Sequence, residues 1–282
     1  MNLKMTIFCI LIAGIILSSG CTEELTTNEI QSRLILANSG MSSYTVDMKM
    51  NMDMIMDIGA SDEPVAIRYD ITSNGDIDRA NKKMALKGTV KSEIGGMTPL
   101  MDTETYLMDG YLYTRNQDTW IKMEFDDDTW RQQDKMGELT ELIETGSIER
   151  LEDESFSGNS YYVIKMNPDL GKVAESTLNE QQPASLDKNI NYEDIVKDYS
   201  STIWVNKKTF IIEKSRTEIR MVMAAEDLDA DDVLATKSIE IASVIELSIS
   251  NINEALNIVL PAEAQDAIDL ADMEKAAMYS FS

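Results

Sequence analysis

From Tyr44 to Ile58 the chain alternates. Tyr44, Val46, Met48, Met50, Met52, Met54, Met56 and Ile58 are apolar, the residues between them are polar, and Ile55 is the one break. A strand points successive side chains to opposite faces, so this run predicts one long strand with a wet face and an apolar face. Shorter alternations follow in Val65, Ile67, Tyr69 and Ile71 and in Met84, Leu86 and Val90. Ser73-Asn74-Gly75-Asp76 supplies turn chemistry between the two. Asp109-Gly110, between strand-like runs at 105–108 and 111–114, predicts a two-residue hairpin because Gly tolerates positive φ. Further strands carry Ile121, Met123 and Phe125, then Tyr162, Ile164 and Met166. Residues 202–205 turn through Asn206-Lys207-Lys208 into 210–223, and a last strand holds Ile239, Ile241, Ile245, Leu247 and Ile249. About ten strands result.

Helical periodicity marks 28–37, with Asn28 as cap, Ile30, Leu34 and Ala37 on one face, and Ser39-Gly40 as the stop. Residues 126–146, 169–179 and a short piece at 192–199 also read as helical. No stretch rich in Gly, Pro or Ser separates the strands, so residues 28–282 are expected to form one domain. A long antiparallel sheet with one polar face must cover its apolar face, and these helices are the available cover. The expected fold is α+β: a large curved antiparallel sheet, or half-barrel, wrapped around helices.

At the N-terminus one basic residue, Lys4, precedes an apolar stretch from Met5 to Leu17 and then Ser18-Ser19-Gly20-Cys21. The stretch is short for a membrane span, which takes about 20 apolar residues, and small residues follow where a peptidase cuts. Residues 1–20 therefore read as a signal peptide and 21–27 as a polar tether. Small-small-Gly-Cys resembles the lipobox of bacterial and archaeal lipoproteins, which implies a lipid on Cys21 and attachment to the outer face of a membrane. The alternative is an ordinary signal peptide with an incidental Cys. The only other cysteine, Cys9, lies in the leader, so the mature chain has no partner for a disulfide and must be stabilised by its own core.

The chain has no histidine, which removes Ser-His-Asp, Cys-His and His-ligated zinc chemistry and the usual general base near neutral pH. A catalytic role is not expected, and no cofactor is implied. Fifty acidic against 25 basic residues give a net charge of -25, which repels nucleic acid and anionic headgroups. Nucleic acid is excluded as a partner. Asp227, Asp229, Asp231 and Asp232 have the spacing that begins a calcium loop. The sixth place holds Asp232 instead of Gly and the twelfth holds Ser238 instead of Glu, so no metal is expected there. Asp126-Asp127-Asp128 suits the N-terminus of the helix that follows.

The five methionines Met48, Met50, Met52, Met54 and Met56, with Tyr69, Met84 and Met123, are the candidate ligand-binding residues. Methionine is unbranched and polarizable and adapts to varied apolar partners, and ligand cavities are mostly apolar concavities. The same positions also suit plain core against a helix.

Asp109-Gly-Tyr-Leu-Tyr-Thr with Thr119-Trp-Ile-Lys-Met, Ile203-Trp-Val-Asn-Lys-Lys-Thr-Phe, and Asn253-Glu-Ala-Leu-Asn-Ile-Val-Leu-Pro-Ala-Glu-Ala occur in that order. Together they resemble the LolA/LppX-like lipoprotein superfamily. The resemblance implies a half-barrel of about eleven antiparallel strands enclosing helices, with an apolar cavity for the acyl chains of lipids or lipoproteins. The expected function is a lipid-anchored extracytoplasmic protein holding an apolar ligand. The alternative is a non-catalytic surface module of the same fold with a filled core, meeting a protein partner the sequence does not name.

Overall fold

The computed structural model describes residues 24–58, 63–171, 173, 192–224 and 236–272. The leader, Cys21, residues 172 and 174–179 of the helix expected at 169–179 and the acidic run from Asp227 to Asp232 lie outside the described residues.

The elements run in chain order as α1 (Thr27–Ser39), β1 (Ser43–Ile58), β2 (Val65–Asp78), β3 (Lys83–Ile94), β4 (Leu100–Met108), β5 (Tyr111–Asn116) and β6 (Thr119–Glu124). Then come α2 (Asp127–Gln133), α3 (Lys135–Thr145), β7 (Ser147–Arg150), β8 (Glu154–Phe156), β9 (Asn159–Asn167), α4 (Tyr192–Ile195), β10 (Val196–Asn206), β11 (Ile212–Ala224), β12 (Thr236–Ser250), a 3-10 turn at Ala262–Ala264 and β13 (Ile268–Asp269). All the strands join one sheet in the order β13-β6-β5-β4-β3-β2-β1-β12-β11-β10-β9-β7, with β8 also on β9. Every pairing is antiparallel except β13 with β6. The sheet is open, with β13 and β7 at its two edges, and is the half-barrel expected from the alternation.

Helix α1 starts two residues earlier than expected. Thr26, not Asn28, is the cap: Thr26 and Glu29 form a reciprocal capping box, which satisfies two backbone donors at once. Ile30, Leu34 and Asn38 recur every four residues and form the buried stripe. Burying a side chain such as Ile30 or Leu34 contributes roughly 1.5 to 3 kcal/mol. These two pack with Tyr44, Val46, Ile77, Met84, Leu107, Met136, Ile143, Ile203 and Leu247, so α1 and α3 fill one end of the half-barrel.

Three further expectations are corrected. Ser73-Asn74-Gly75-Asp76 is not a turn but lies inside β2, and the reversal falls at residues 79–82. Its polar side chains bond across the strands: Asn74 donates to Asp47 at 2.7 Å, and Asp76 accepts from Thr45 at 2.6 Å. Gly75 and Gly88 serve close approach, because a Cβ on them would lie 1.9 Å from the Ala85 carbonyl and 2.1 Å from that of Thr72. The helix expected over 126–146 is two helices broken at Asp134, whose side chain caps the second at Gly137 N–H. The piece expected over 192–199 is helical only to Ile195, and Val196 begins β10.

Candidate ligand-binding face

The pairing of β1 keeps one register from Thr45 to Met56, so its apolar row stays on one face. Met48, Met50, Met52, Met54 and Met56 stand opposite Leu247, Ile245, Ser243, Ile241 and Ile239 of β12. On the other side they stand opposite Ser73, Ile71, Tyr69, Ile67 and Val65 of β2. Tyr44 and Val46 of the same row pack under α1, which makes this the concave face. Ile55, the break in the alternation, points to the opposite face and is exposed.

Two environments meet along the methionine row. Toward β10–β12, Met52 is only 8% exposed and packs with Ile195, Val196, Ile219, Met221, Met223 and Ile241 beneath α4 and Val173. Met50, Met54 and Tyr69 are half-buried against the same cluster. Toward β2–β4, Val65, Ile67, Ile71, Val90 and Ile94 are half-buried, and Met101 is exposed. The described helices pack against the other clusters, so this flank is open among the described residues. Among the described residues the result is an uncharged apolar trough, covered along one wall.

The predicted residues are only partly gathered. Met48 to Met56 and Tyr69 share the face, with Tyr69 directly opposite Met52. Met84 is fully buried in the cluster under α1, opposite Ile77 and Leu107. Met123 lies near the sheet edge on β6, opposite Leu112, and is partly exposed. Ile67, Ile71, Val90, Ile239 and Ile245 complete the trough and were not singled out in the sequence. Their alternation was visible, but their neighbours depend on strand pairing.

Hydroxyls cross the face between the two clusters. Ser201 and Thr217 bond each other at 2.8 Å, and Ser215 and Ser243 are buried beside them. Tyr199 lies opposite Ile219, and burial pushes its phenol up, so the group stays neutral across the physiological range. A recess of 260 Å³ opens among polar side chains of the outer face, including Asp47, Lys49, Lys87, Lys214 and Glu246, and its character does not suit an acyl chain. Among the described residues no group of three or more Asp, Glu, Cys or His could hold a metal ion. Asp126 caps α2 through Thr129, and Asp127 pairs with Lys82.

Residues 26–269 match a family of unknown function (DUF6612). The chain belongs to this family. Among curated proteins none matches. Solved structures similar to this family member include LprF from Mycobacterium bovis, at 13% identity over 83% of this chain and 98% of the other, with a TM-score of 0.47. Lipoprotein LppX from Mycobacterium tuberculosis is similar at 13% identity over 83% of this chain and 100% of the other, with a TM-score of 0.45. At this identity nothing about cargo or partners passes from them to this chain. No helix among the described residues is long and apolar enough to cross a membrane.

Proposed function

We propose that this protein is a lipid-anchored extracytoplasmic binding protein that holds an apolar ligand, such as an acyl chain, along the methionine trough. The observation that carries the reading is the half-open concave face, where the methionine row of β1 continues without a charge into Val65, Ile67, Ile71 and Val90. Met48 and Met56 are eight residues apart, so the row is roughly 26 Å long at a strand's rise. That exceeds the roughly 15 Å that one leaflet contributes to a hydrocarbon core. Methionine-lined walls accept partners of varied shape, and the lack of histidine argues for binding over catalysis.

A second reading, a surface module with a filled core, draws on the near-complete burial of Met52, Ile219, Met221 and Met223. Saturable binding of a fluorescent fatty-acyl probe, together with mass spectrometry of lipid co-purifying with the protein, separates the two. A half-open trough should bind the probe with about one site per chain. An absence of both signals promotes the structural module. Attachment is tested separately: Cys21→Ser should move the protein from the membrane fraction to the soluble one, and, since one acyl chain holds only marginally, the wild-type residue should carry at least two.

A further inference from the structure

The β3–β4 hairpin leaves the sheet at the Met54 end of the trough, where Ile94 stands opposite Ile67 and Ile67 opposite Met54. Ile94 and Met97 exchange backbone hydrogen bonds at 3.0 Å in both directions. They close around Gly95 and Gly96, whose φ values are 56° and 81°. Two successive positive φ values are what a tight hairpin turn requires, and Gly supplies them without strain. Ser92 N–H then donates to the Pro99 carbonyl at 3.1 Å, so the tip is a closed, ordered prong. A Cβ placed on Gly95 or Gly96 would touch nothing within 4 Å, so the prong stands clear of the rest of the described chain.

Its surface is apolar on both sides. Met97 and Leu100 are each 68% exposed and Met101 is 45% exposed. Met101 stands opposite Val90, and Met97 opposite Ile94, so both continue the concave face, while Leu100 stands opposite Lys91 on the other face. No charged residue occurs from Ile94 to Met101, although the residues just outside, Glu93 and Asp102, are acidic. Large apolar side chains grouped on a projecting tip mark an interaction surface.

We propose that residues 94–101 dip into the lipid–water interface of the membrane that carries the protein, so that the trough opens onto the bilayer at Met97 and Met101. The inference rests on the membrane-attached part of the proposed function and is independent of the cargo. A bilayer is the occupant favoured by the tip's chemistry. The backbone N–H and C=O groups of Ile94 and Met97 bond each other across the turn, its side chains offer no charge, and the proposed lipid on Cys21 holds the chain at a membrane. With a net charge of -25 the body gains nothing from an anionic surface, so apolar burial to a depth of about 5 to 10 Å has to supply the contact.

The test uses the full chain on phosphatidylcholine vesicles whose acyl chains are brominated, with Met97→Trp, Leu100→Trp and, in the turn at the opposite end of β3, Asn81→Trp. Emission added over the parent chain should be quenched at least about twofold more at 97 and 100 than at 81, as interfacial insertion requires. Leu100→Trp repeats the reading from the other face of the prong and covers the case of a misfolded Met97→Trp. Equal quenching at all three positions overturns the inference. Fatty-acyl probe binding by the same chains in solution reads the cargo separately. Quenching at 97 without probe binding keeps the membrane contact and removes the cargo, and probe binding without quenching does the reverse.

Discussion

Arg79, in the turn after β2, donates its Nε–H to Asp134 Oδ2 at 2.9 Å, and both side chains are largely buried. The same guanidinium donates to the carbonyls of Asn38 and Met41, while Asp134 caps α3. One ion pair therefore ties the end of α1, the β2–β3 turn and the start of α3. Removing one partner leaves a buried charge unpaired, so Asp134→Ala should lose about 3 to 5 kcal/mol in denaturant unfolding. Asp134→Asn keeps a good cap and should lose less. Arg79→Ala combined with Asp134→Ala should cost less than the sum of the two, since both remove one interaction.

The two walls of the trough should respond differently to shortened methionines. Met52 packs tightly against Ile219, Met221 and Ile241, and Met52→Ala should cost about 2 to 4 kcal/mol. Met54, half-buried, should lose roughly half as much stability on Met54→Ala but weaken acyl-probe binding more. Asp53→Ala, on the outer face in an exposed pair with Arg68, should stay within about 0.5 kcal/mol of wild type. Equal probe affinity in Met54→Ala and wild type would remove this residue from the binding wall.

Gly75 and Gly88 set how closely β2 and β3 approach. Gly75→Ala and Gly88→Ala place a methyl into backbone, which cannot yield as a side chain can, and each should cost at least about 3 kcal/mol or abolish folding. Gly110→Ala meets no atom within 4 Å and bears only a positive φ, so it should cost about 1 kcal/mol. Thermal melts of the three variants rank the effects.

Asp153 predicts a pH dependence on the acid side. Burial pushes its carboxyl up, but hydrogen bonds from Arg150 and Lys207 outweigh this and hold it below the usual carboxylate range. Its folded value thus lies under the unfolded one, near 3.9. The stabilisation is complete above about pH 4 and is lost as pH falls through the lower folded value. Melting temperature measured from about pH 5 down to about pH 2 should fall more steeply for wild type than for Asp153→Asn. Parallel curves would show that the pair adds nothing to stability, and partial exposure keeps the expected difference small.

The sequence by itself determined the elements whose pattern is local and long. The alternation from Tyr44 to Ile58 needed no partner to announce a strand, Asp109-Gly110 needed only Gly's tolerance of positive φ, and Ile30 and Leu34 marked the buried stripe of α1. Strands of two to four residues, β7, β8 and β13, have too few positions for a period and exist because longer neighbours offer them unpaired backbone. Tertiary structure alone decided the role of Ser73-Asn74-Gly75-Asp76, because turn residues can also serve cross-strand bonding and close packing, and only the position of Thr45, Asp47 and Ala85 selects between these. It also sorted the methionines: Met84, Met52 and Met101 share one chemistry, and their burial differs because α1 covers the first, α4 closes over the second and no described helix reaches the third.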